Sequence, residues 1–100
     1  MESEKDTEAY LCKEAKRHGG RAYKFISPGC AGVPDRIVVL PGGRIFFVET
    51  KSQGKTSTTL QKKIQCELRE LGCTVYAEID TKQKVNEIMR IESAQGGDAL

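Results

Sequence analysis

One hundred residues, 38% hydrophobic and 30% charged, give room for a single domain with a modest core, which pairing of two copies would naturally supplement. A net charge of +2 tolerates a polyanionic partner without announcing one, and the longest apolar runs, Ile37 to Leu40 and Ile45 to Val48, fall far short of the ~20 residues that cross a bilayer, so no membrane role is expected. Cys12, Cys30, Cys66 and Cys73 contain no C-x-x-C pair, only His18 could join them on zinc, and the start of the chain is charged, so the expectation is four reduced thiols in a cytoplasmic protein.

In chain order, Ser3 to His18 reads as a helix ended by Gly19 and Gly20, and Glu8, Leu11, Cys12 and Ala15 share one of its faces. A carboxylate thus lies in line with the apolar stripe. A short strand is predicted over Ala22 to Ile26, followed by a loop with the breakers Ser27, Pro28, Gly29 and Gly32, Val33, Pro34. Arg36 to Leu40 and Arg44 to Lys51 are β-branched and aromatic runs around Pro41, Gly42 and Gly43, which predicts a hairpin. Both of its faces are apolar, so it is expected at the centre of a sheet covered on both sides.

Ser52 to Thr59 is polar, and its Ser and Thr residues can cap a helix that carries Leu60, Ile64, Leu68 and Leu71 at core spacing and stops at Gly72. Thr74 to Ile79 reads as a strand, and the strand, helix, strand order predicts a crossover to a parallel neighbour. A last helix is predicted from Thr81 to Ile91, with Val85, Ile88 and Met89 inward. The whole is an α/β fold with a mixed sheet between helices, one domain over residues 1–92 and a flexible tail over 93–100.

The hairpin register concentrates the chemistry. A three-residue loop of Pro41, Gly42 and Gly43 makes Leu40 face Arg44 and, counting back, Asp35 face Glu49; a two-residue loop leaves the two acids diagonal but still within reach of a shared ligand. Alternation puts Lys51 on the face of Glu49, with Phe47 and Ile45 continuing that face into the core. Two carboxylates ~5 Å apart repel by about 3 kcal/mol at an effective dielectric of 20, a cost that a proton or a cation between them removes. A hard cation such as Mg²⁺ or Mn²⁺ on Asp35, Glu49 and the Thr50 backbone carbonyl would keep open positions for water and phosphate. Lys51 could then orient the attacking water or neutralise the charge of the transition state.

Spacing alone leaves a blander arrangement open, with Asp35 merely ending a loop and Glu49 and Lys51 an ordinary surface pair. Glu8 is either a solvated edge position or a further carboxylate near the metal, and Gln61 either points at solvent or reaches back to the site. Lys24, Arg36, Arg44, Lys55, Lys62 and Lys63 could meet a nucleic-acid backbone or form a solvated surface. Gly54, Lys55 and Thr56 end like a phosphate-binding loop but lack its leading glycine, so no nucleotide cofactor is expected. His18 suits a helix C-terminus as a partner of the dipole.

The run Gly32 to Arg36 (GVPDR), the apolar stretch that follows it, Gly43 to Lys51 (GRIFFVETK) and Gln61 together resemble the VRR-NUC family, the virus-type replication and repair nuclease branch of the PD-(D/E)xK superfamily. The resemblance covers about Glu4 to Met89. It implies a restriction-endonuclease-like core and a divalent-metal-dependent DNA endonuclease, with Asp35 and Glu49 as metal-binding acids, Lys51 as the catalytic lysine, Gln61 as the glutamine of the next helix and Glu8 as the acid of the first helix. Thr50 stands where the family often has an apolar residue, and only its backbone carbonyl is needed. Short members are similar to phage proteins, so the resemblance further implies a homodimer acting on branched DNA, in the manner of a Holliday junction resolvase. The alternatives are a flap or nicking endonuclease with the same site, or a DNA-binding module that does not cut.

Overall fold

The structure, a computed structural model, describes the backbone of residues 1–97 and the side chains up to Ala94, so the last part of the expected tail, residues 98–100, lies outside the described residues. Helix α1 (Glu4–Arg17) starts where the Ser3 hydroxyl accepts from the Asp6 backbone N–H at 3.0 Å. Glu4 and Asp6 in its first turn and Lys16 and Arg17 in its last complement the helix dipole. Strands β1 (Arg21–Lys24), β2 (Arg36–Leu40) and β3 (Arg44–Thr50) follow, then α2 (Thr59–Glu70), β4 (Val75–Ile79) and α3 (Lys82–Gly97). This is the predicted order of elements, with β1 running from Arg21 to Lys24 in place of Ala22 to Ile26 and α3 running beyond Ile91 to Gly97.

The sheet order is β1-β2-β3-β4, antiparallel from β1 to β3, with β4 added parallel to β3 after the α2 crossover. One face carries Ala22, Val38, Leu40, Phe46 and Val48, and packs on Leu11 and Ala15 of α1 and Val85, Ile88 and Met89 of α3. Most of the apolar burial that holds the fold lies in this one layer.

The other face departs from expectation. The hairpin is central, but α2 runs from β3 back to β4 and packs over that edge, so β1 and the start of β3 have no roof and Ile45 is 52% exposed. Helix α2 buries Ile64 and Gln65, while Leu60 and Leu71 of the expected core stripe face outward, Leu71 at 82% exposure. The face that bears Glu49 and Lys51 therefore runs through half-buried Phe47 to the surface and not into the core, which lies on the opposite side.

Two features went unread in the sequence. Glu92 of α3 is buried, and it is held by the Arg44 guanidinium and the Tyr76 hydroxyl, so Arg44 braces the fold. Strand β4 also bulges. Val48 pairs with Tyr76 but Thr50 with Ile79, so both Ala77 and Glu78 stand opposite Glu49. That inserted residue lets Tyr76 and Ile79, three apart, face the same core. All four cysteines are free, and among the described residues no helix is long and apolar enough to cross a membrane.

Candidate active site

The turn at Gly42 and Gly43, with φ of +87° and +76°, is open to glycine at both positions, and it sets the three-residue register: Leu40 pairs with Arg44 and Arg36 with Val48. One step further, Asp35 comes beside Glu49. The Phe25 N–H donates to the Asp35 carbonyl at 2.8 Å and fixes that end of the loop to β1.

Asp35 is aimed by Thr50. Its Oδ2 accepts from the Thr50 backbone N–H at 2.8 Å and from the Thr50 hydroxyl, and Thr50 is fully buried. Sequence reasoning gave Thr50 only a carbonyl; its hydroxyl fixes the orientation of an acid.

Glu49 is 3% exposed, and its Oε1 has no hydrogen-bond partner. Its Oε2 lies 3.4 Å from the Gln61 side-chain nitrogen and 3.9 Å from Lys51 Nζ. Burial pushes the Glu49 carboxyl up to about 9, helped by the neighbouring Asp35 carboxylate, while Lys51 opposes the rise. The cause is acceptor facing acceptor in a dry place.

Lys51 Nζ donates to Gln61 Oε1 at 2.7 Å. Gln61 is oriented by a capping box: its N–H donates to the Thr58 hydroxyl at 3.1 Å, and the Thr58 N–H donates to Gln61 Oε1 at 2.9 Å. With Oε1 committed to two donors, the amide nitrogen is left facing Glu49. The T-x-x-Q spacing that produces this is visible in the sequence.

Asp35, Glu49, Lys51 and Gln61 thus converge. Glu8 is paired with Arg36, its Oε2 accepting from Arg36 Nε at 2.8 Å, while Arg36 also donates to the Ala22 carbonyl at 3.2 Å. Glu4, one turn earlier, is the acid of α1 whose charge acts on Glu49; its own carboxyl is raised by partial desolvation and by Asp35, with Lys51 opposing. Glu4 was missed because it shares the helix face of Glu8, and only the tilt of α1 over the sheet decides between them. Lys24, Lys55, Lys62 and Lys63 are exposed.

No three His, Cys, Asp or Glu side chains converge as a complete metal set among the described residues. The donors present are nevertheless all oxygen, and one buried carboxylate oxygen has no proton donor. That fits a hard cation which takes few protein ligands and keeps several waters.

No family model matches the chain. It is 48% identical over 69 residues to "Putative nuclease p44" of Acyrthosiphon pisum secondary endosymbiont phage 1, an overlap of 69% of this chain and 74% of that protein. Its fold is similar to a solved VRR_NUC domain, with a TM-score of 0.82 and 25% identity, over 90% of this chain and 97% of the other. With the α-β-β-β-α-β-α order and the mixed sheet, these likenesses make the chain a member of the VRR-NUC family of nucleases.

Proposed function

We propose that the protein is a divalent-metal-dependent endonuclease that hydrolyses phosphodiester bonds in branched DNA as a homodimer, with Mg²⁺ or Mn²⁺. The observation that carries the metal is the buried, unpartnered Glu49 Oε1 beside Asp35. Asp35, Glu49 and the Thr50 carbonyl would hold the ion, which supplies polarisation of the phosphate and a bound water of lowered pKa. Thr50 keeps Asp35 turned to the site. Gln61 holds the Lys51 ammonium beside Glu49, where it can orient the attacking water and offset the charge that develops on the phosphate. Glu4 adds negative charge at the rim, and Glu8 steadies Arg36 next to Asp35.

Exposed Lys24, Lys55 and Lys62 suit contacts to the phosphate backbone, which position DNA without reading its sequence. Branched DNA and pairing support one another, because paired cuts on opposed strands need two sites related by a two-fold axis. The test is cleavage of a four-way junction, a 5′ flap and linear duplex, with sedimentation to measure the mass in solution. Paired symmetric nicks in the junction by a dimer are expected. Single nicks by a monomer would point to flap or nicking activity, and binding without any cutting would point to a non-catalytic module.

A further inference from the structure

We propose that Glu78 is a positioning residue for this site, acting through the loop between β3 and α2 to hold Gln61 on Lys51. The inference rests on the nuclease reading for its catalytic consequence, but not for its geometry. Glu78 is the only residue other than glycine with positive φ among the described residues, at +56°, and it sits in the β4 bulge opposite Glu49. Glycine or asparagine would take that backbone conformation more readily. A glutamate held there against its backbone preference needs a reason, and its carboxylate supplies one.

That carboxylate accepts from the Ser57 N–H at 2.8 Å. Ser57 is buried, and its hydroxyl accepts from the Gln65 side chain at 2.9 Å. Two residues beyond Glu78, Asp80 accepts from the Gly54 N–H at 2.8 Å, and Gln53 is tied to Glu2 by a backbone hydrogen bond of 3.2 Å. A loop whose glycine and polar residues suggest mobility is therefore pinned along its length. Its last pin is next to Thr58, the N-cap of α2. Thr58 and Lys51 share a single acceptor, Gln61 Oε1, at 2.9 and 2.7 Å. A shift of Ser57 moves the cap, and the cap moves the group that holds the lysine beside Glu49. The bulge thus does for the loop what bulges do near sites: it re-aims a side chain that regular alternation would have sent elsewhere.

The test compares Glu78→Gly, Glu78→Asn and Glu78→Gln. Glycine and asparagine accept the backbone conformation but lose the reach to Ser57, whereas glutamine keeps an acceptor oxygen at the right length. Thermal stability of the glycine variant is expected to equal or exceed wild type. Its kcat on a junction with Mn²⁺ should fall roughly fivefold to tenfold, the worth of one hydrogen bond, with KM within about twofold, and glutamine should restore it. Amide exchange at Thr58, whose N–H donates to Gln61, should speed by about tenfold in the glycine and asparagine variants and return to the wild-type rate in the glutamine variant. If glycine fails to fold, asparagine carries the comparison. Unchanged Thr58 exchange in the truncated variants, or unchanged kcat in an active enzyme, overturns the proposal. Absence of cleavage by wild type would overturn the nuclease reading instead, and the exchange rates would still decide whether Glu78 positions Gln61.

Discussion

A hairpin converts loop length into register, so the turn at Pro41, Gly42 and Gly43 sets Asp35 beside Glu49. Thr50 then aims Asp35 through its backbone N–H and its hydroxyl. Thr50→Val keeps the shape and leaves Asp35 with one donor in place of two, so the denaturation midpoint should report a loss of about 1–2 kcal/mol, and cleavage should weaken by about tenfold. A second expectation concerns pH. The Glu49 carboxyl is raised from its ordinary 4.5 to about 9, so the folded metal-free protein holds this proton more tightly than the unfolded chain does. The resulting stability is complete below pH about 4 and is lost as pH rises through about 9. In chelator, the melting temperature of wild type should therefore fall with rising pH relative to that of Glu49→Gln, which carries no such proton. Parallel curves for the two proteins would contradict the assignment.

At the scale of elements, the helices and strands were readable from periodicity and punctuation, and the capping residues of α2 stood in the sequence as T-x-x-Q. The buried side of α2 was legible only in part: Ile64 is buried and Leu68 half-buried, but Leu60 and Leu71 are exposed, because the four make an apolar stripe whichever way the helix rolls. What fixes the roll is contact with the loop before Asp35. Gly32 has φ of +92°, and a Cβ there would meet Leu60 Cγ at 2.9 Å and Ile64 Cγ1 at 3.2 Å. Gly32→Ala combines that crowding with a left-handed backbone, for a loss of roughly 2–4 kcal/mol by urea unfolding. Because it pushes on α2, it should also weaken cleavage in the surviving folded fraction. A stability within about 0.5 kcal/mol of wild type, the usual range for a surface change, would show that the loop and helix yield freely.

For the whole molecule, the α/β topology, the central hairpin and the parallel fourth strand followed from the sequence, since short connections and one helical crossover leave few alternatives. The uncovered side of the sheet did not follow, because an apolar run states that a residue prefers burial and not whether a helix arrives to bury it. Nor did the Arg44, Glu92 and Tyr76 cluster, which brings together three residues far apart in the chain. The bulge opposite Glu49 is likewise a product of packing, set by the need to send both Tyr76 and Ile79 into one core. What these elements build together is a dry corner in which two acids face each other beneath a lysine. The measurement that bears on it most directly is a titration of Mn²⁺ into wild type and Glu49→Gln, followed by electron paramagnetic resonance of the free ion. Saturable binding by wild type that is lost in the folded variant is the predicted result; equal binding by both proteins would contradict the site.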